Sequence, residues 1–215
     1  MDPEEIISLM VNSVKGIKDM LAVPYVFDTY KDPFKVLIAT IISIRVREEK
    51  TIEVCNRLFS VYKTVDDFKR ADKVNIESLL KDIGLYRQKA KWIKEIASVW
   101  DYNKQCDENF IRSLPGVGRK VANVYLSLVC NKDYIAVDTH VHRIFNRLGL
   151  VKTSSPEDTE EELYKIFPKK YWKEINRIGV LFGRNICKPK NPRCDICSLN
   201  SICNYYRSNV KTNKS

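Results

Sequence analysis

Along most of the chain, apolar residues recur every three or four positions. "IESLLKDI" (residues 76–83), "KAKWIKEIASVW" (89–100), "VANVYLSLV" (121–129) and "VHRIFNRLGL" (141–150) each carry this spacing, which predicts amphipathic helices. "VLIATIISI" (36–44) is apolar throughout, too short to cross a bilayer, and reads as a buried helix. No alternating apolar–polar run of convincing length occurs, and there are only seven glycines, so the pattern predicts an all-α protein. The chain opens on "MDPEEIISLM", with Asp2 as N-cap, Pro3 at the first helical position and two glutamates in the first turn. That is a helix start and not a signal peptide, so the expected location is intracellular (cytoplasmic). Breaks are expected at residues 23–34, 131–134 and 152–158, and the polar tail 207–215 reads as frayed.

Two hundred and fifteen residues suit one large domain or two small ones. Charge narrows the function: 37 Lys and Arg stand against 27 Asp and Glu, a net +10, which favours a polyanionic partner, usually nucleic acid. "LPGVGRK" (114–120) lies between two helical patterns. Pro115 ends the first, Gly116 and Gly118 permit a tight turn, and the second helix then starts with free N–H groups beside Arg119. Such a hairpin tip binds anions, and phosphate is the natural occupant. "GLYRQKA" (84–90) shares its Gly, Arg and Ala positions with "GVGRKVA" (116–122), a faint repeat that opens a helix each time.

"VDTHVHR" (137–143) could be a strand presenting Asp138, His140 and His142 as three metal ligands. The apolar stripe Val141, Ile144, Phe145 and Leu148 has a helical period instead, so the two histidines diverge and Asp138 becomes an N-cap. Seven cysteines remain. Cys55, Cys106 and Cys130 are scattered and read as small packed apolar residues. Cys187, Cys194, Cys197 and Cys203 are clustered, with intervals of six, two and five residues, and spacing leaves zinc and iron–sulfur both open.

"LPGVGRKVANVYL" followed by "VDTHVHRIFNRLGL", with "DPFKVLIATIIS" and "DIGLYRQKAKWI" before them and the four cysteines after, resembles the endonuclease III family of DNA glycosylases. The resemblance covers almost the whole chain. It implies a two-lobed helix-hairpin-helix fold: a six-helix barrel lobe at 23–132, and a second lobe of residues 1–22 and 133–215 holding a [4Fe–4S] cluster on Cys187, Cys194, Cys197 and Cys203. It implies a monomer acting on double-stranded DNA that contains damaged bases or abasic sites, with no membrane. Lys120 becomes a Schiff-base nucleophile and Asp138 the carboxylate that assists it. This suits the chemistry, because glycosidic cleavage builds positive charge on the sugar and a neutral amine can attack C1′. The positive end of the helix and Arg119 both disfavour an ammonium ion at Lys120. The expected activity is removal of oxidised or damaged pyrimidines, then strand nicking by β-elimination. DNA contacts are expected from Gly116, Val117, Gly118, Arg119, Leu85, Lys190 and Arg193. Arg45 stands where the family commonly has Gln, which leaves opposite-base preference open. Competing readings are a uracil or thymine-mismatch glycosylase of the same fold, a non-catalytic hairpin protein that only binds DNA, and a metal hydrolase.

Overall fold

The computed structural model describes residues 2–17 and 20–209, and among them it is all helical, with no strand. Two compact units form. Residues Met20–Lys132 make one; the N-terminal helix and the residues from Asp133 onward make the other.

Helix α1 (Pro3–Val14) starts as its sequence dictates, with the Asp2 carboxylate accepting from Glu4 N–H. The unit that follows carries α2 (Ala22–Tyr30), α3 (Pro33–Ile42), α4 (Glu48–Val61), α5 (Val65–Arg70), α6 (Lys73–Leu80), α7 (Tyr86–Val99), α8 (Glu108–Ser113) and α9 (Arg119–Val129). Helix α3 is its axis. Every residue from Val36 to Ile42 is buried, and α2, α4, α7 and α9 all pack on it. A helix apolar all round is stable only when enclosed in this way. Phe34, Phe68, Trp100 and Tyr125 extend the core as a chain of edge-to-face rings with centroids 5.2–6.4 Å apart.

Two expectations change here. Residues 23–34 are mostly helix, and the break shrinks to Lys31 and Asp32. Pro24 is third in α2, where the missing N–H has no intrahelical acceptor to lose, so it does not end the helix. Cys106 and Cys130 are not separate packed thiols: they form a disulfide with Cα atoms 5.5 Å apart. They flank the antiparallel pair α8–α9, whose reversal brings its two ends together. Cys55 is buried as expected.

In the second unit, α10 (Thr139–Leu148) packs on α11 (Pro156–Ile166), α12 (Trp172–Asn185) and α13 (Asn204–Asn209), and α1 packs on α12. The stripe Val141, Ile144, Phe145 and Leu148 is buried. Gly179 and Gly183, one turn apart on α12, let α10 approach closely: a Cβ at Gly183 would lie 2.6 Å from His140 Nδ1, and one at Gly179 2.6 Å from a Val141 methyl. Ser155 caps α11 and Pro156 opens it, as the 152–158 loop predicts. Of the tail, residues 207–209 close α13 and residues 210–215 lie outside the described residues. No helix of the described residues is long and apolar enough to cross a membrane.

Candidate functional site

The hairpin is built as the sequence requires. Leu114 and Val117 are buried and anchor the turn, with Val117 N–H donating to Leu114 C=O at 3.1 Å. Gly116 has φ +78 and lies against the face of Trp92, where a Cβ would come within 2.5 Å of the ring. Gly118 differs. Its φ is −79, it caps α9 without a side chain, and nothing lies within 4 Å of where its Cβ would be. No rule of backbone or packing demands glycine there. Arg119 and Lys120 are the first two residues of α9, exposed and half-buried respectively, beside N–H groups that no side chain caps. Val117 is buried, so only its backbone can face a ligand.

In the same unit, two turns share an uncommon backbone. Arg45, between α3 and α4, has φ +57; Leu85, the N-cap of α7, has φ +61. Both are non-glycine residues in the left-handed region, and both side chains are exposed, Leu85 to 47%. Lys31 (φ +50) and Asn131 (φ +53) of the same unit adopt this region too. Arg45 does not lie on a helix face with Glu48: that carboxylate accepts from Ala22 N–H at 2.6 Å. The faint sequence repeat does open two helices, at Tyr86 and Arg119, though through different turns.

In the other unit, Asp138 is the N-cap of α10. Its Oδ1 accepts from both His140 N–H and Val141 N–H at 2.9 Å, which leaves Oδ2 outside the cap. The extended residues before it are pinned: Ile135 N–H donates to the Tyr164 hydroxyl at 3.0 Å, and Asn176 Nδ2 donates to Ala136 C=O at 2.8 Å. Nothing in the sequence marked Tyr164 or Asn176, because their acceptor and donor are main-chain groups. The two histidines diverge. His140 packs against Gly183 with Arg143 Nη2 3.1 Å from its Nδ1, and burial lowers its pKa; His142 Nδ1 lies 2.7 Å from Thr159 Oγ1. Asp138, His140 and His142 therefore do not converge.

The far end of α10 meets the cysteine loop. Arg143 Nη2 donates to Cys187 C=O at 2.9 Å, and Arg147 donates to Lys188 C=O at 2.6 Å and Pro189 C=O at 2.8 Å. Arg147 Nη1 also lies 3.7 Å from Cys187 Sγ. Cys187, Cys194, Cys197 and Cys203 are unpaired thiols lining one hollow, walled by Ile144, Leu148, Phe182, Ile186 and Leu199. Burial and the neighbouring thiols push Cys194 up, and burial first of all pushes Cys197 up to about 11. Among the described residues no three Cys, His, Asp or Glu converge tightly enough for one ion. Four thiols lining one hollow suit a polynuclear cluster in which each iron takes one thiolate. The cysteines would hold that cluster and Arg147 would sit beside it. Lys190 and Arg193 are exposed on the same loop.

Residues 38–169 match the model of the HhH-GPD superfamily of base excision DNA repair proteins, and residues 187–203 match the iron–sulfur binding domain of endonuclease III. Endonuclease III of Thermotoga maritima is 46% identical over 84% of this chain and 86% of its own length; that of Bacillus subtilis is 35% identical over 81% and 82%. A trapped endonuclease III–DNA covalent intermediate superposes with a TM-score of 0.85 at 31% identity, covering 97% of this chain and 98% of that one. The chain belongs to the endonuclease III family of helix-hairpin-helix base excision DNA repair proteins, as a DNA glycosylase and abasic-site lyase carrying a [4Fe–4S] cluster.

Proposed function

We propose that the chain excises oxidised or otherwise damaged pyrimidines from duplex DNA through a Schiff base on Lys120, acting as a monomer on chromosomal DNA inside the cell. The observation that supports this most is the start of α9: a half-buried lysine one residue behind an exposed arginine, at an uncapped helix terminus presented by a bare glycine turn. Main-chain N–H groups and Arg119 hold a phosphate, which brings the deoxyribose to the amine. The Lys120 Nζ lone pair forms a bond to C1′, the glycosidic electron pair leaves with the base, and the leaving base takes up the proton that Nζ sheds. The Asp138 carboxylate, held at the start of α10, stabilises the positive charge that develops on the sugar. The nitrogen lone pair then opens the C1′–O4′ bond, O4′ takes up a proton, and the resulting iminium acidifies the 2′ hydrogen. Its loss as a proton expels the 3′ phosphate by β-elimination, and water then hydrolyses the imine to release Lys120. Arg45 and Leu85 enter the space left by the flipped nucleotide, and Lys190 and Arg193 contact backbone phosphate.

Duplexes carrying single defined lesions test the substrate class. Oxidised pyrimidines and abasic sites are expected to be processed and, with borohydride, to give a covalent adduct. Preference for uracil or a thymine mismatch would replace this reading with the mismatch glycosylase, and binding without nicking would replace it with the DNA-binding protein. The hairpin gives a sharper contrast. Gly118→Ala leaves stability within about 0.5 kcal/mol of the original, because its Cβ meets nothing. Its affinity for duplex DNA nevertheless falls, since that face approaches phosphate. Gly116→Ala destabilises the fold itself by about 1–2 kcal/mol through its left-handed backbone, and by more through the collision with Trp92. Thermal melts and filter binding on both variants separate the two roles.

A further inference from the structure

Lys89 is the only lysine or arginine among the described residues that is fully buried. Its ammonium donates to Ile42 C=O at 2.9 Å and to Ile44 C=O at 2.7 Å. Ile42 ends α3, so its carbonyl has no intrahelical partner, and the negative end of the α3 dipole faces the charge. Ile44 immediately precedes Arg45. The backbone N–H of Lys89 donates to Leu85 C=O at 2.9 Å. One residue thus holds both left-handed turns, the first through its side chain and the second through its backbone. Among the described residues no carboxylate pairs with it, and burial alone pushes its pKa down to about 8. A buried, unpaired cation is a costly way to fill a core position that Met or Leu would fill without desolvating a charge.

We infer that Lys89 is the positioning residue that fixes the turn carrying Arg45 against the turn carrying Leu85, so that both side chains enter the duplex in register when a damaged nucleotide flips. The inference rests on the reading, given above, that Arg45 and Leu85 fill the vacated space. Lys89 touches no reacting atom. It sets where the two wedges stand, and therefore the opening of the stack and not the chemistry that follows.

The test compares single-turnover rates on a duplex with a paired oxidised pyrimidine and on one with a preformed abasic site, which has no base to unstack. Lys89→Met, which keeps length and loses the donor, is expected to slow the first by about 10-fold and the second by less than about 3-fold. In an Arg45→Ala/Leu85→Ala background it should add nothing, because the side chains it positions are gone. Equal losses on both substrates, no loss on either, or an additive loss in that background overturns the inference while the wedge reading stands. If Arg45→Ala/Leu85→Ala itself leaves the paired-lesion rate unchanged, the wedge reading fails first and the inference with it. Should Lys89→Met unfold, Lys89→Gln, which keeps a shorter donor, is taken through the same cycle. Failure of both variants to fold assigns Lys89 to stability alone and overturns the proposal.

Discussion

Lys120→Ala is expected to abolish the borohydride-trapped protein–DNA adduct and to lower strand nicking at abasic sites by on the order of 10³-fold or more, while the protein remains folded and bound to DNA. Lys120 is second in α9 and its side chain supports no packed core, so its removal is expected to subtract the proposed nucleophile and little else. Asp138→Asn is the companion experiment. Asn caps a helix about as well as Asp, so α10 keeps its two first-turn hydrogen bonds and the melting temperature stays close to that of the unsubstituted protein. Only the charge is lost, and the rate of base release is expected to fall by about 10²–10³-fold, the usual effect of removing one electrostatic stabiliser. A rate that survives Asp138→Asn would reduce Asp138 to a cap. An adduct that still forms in Lys120→Ala would assign the covalent step to another amine. Single-turnover release of the damaged base and gel detection of the trapped complex read these outcomes separately.

Cys194→Ser is expected to cost the protein its cluster: iron content falls, the visible absorbance is lost, and residues 187–203 become open to proteolysis. Between the end of α12 and the start of α13 this segment contains no regular helix, and Leu199 is its only buried side chain. A few turn bonds hold it, such as Arg193 N–H to Ile186 C=O at 2.9 Å and Asn200 Nδ2 to Cys194 C=O at 3.2 Å. Structural metal sites contribute on the order of 10 kcal/mol to folding, far more than those bonds. Full-length protein should show cleavage confined to the loop, with the Met20–Lys132 unit protected by its own core. Retention of iron at the level of the unsubstituted protein would remove Cys194 from the ligand set, and stoichiometric zinc in place of iron would refute the cluster.

Much of this site is written in short stretches. The hairpin glycines, Lys120 behind Arg119, and Asp138 ahead of a helical stripe are all features of residues within a turn or two of one another. Helical period and N-capping act over that range. The cysteine spacing is likewise local, although spacing alone does not choose between zinc and iron–sulfur; membership of the endonuclease III family does. The expectations that changed depended on longer reach. Residues 23–34 read as a break, yet most of them fold into α2 and the start of α3. Cys106 and Cys130 looked independent until α8 and α9 turned back on each other.

By itself, then, the sequence determined the helical class, the hairpin, the capping carboxylate and the cysteine loop, since each follows from neighbours in the chain. Only the tertiary structure decided that α3 is enclosed on every side, that Gly179 and Gly183 admit α10, and that Lys89 ties the turns at Arg45 and Leu85 together. The side chain of Lys89 reaches carbonyls 47 and 45 residues away. Main-chain carbonyls are the same in every residue and leave no signature in the sequence, so a lysine that binds them reads as one more surface charge until the fold buries it.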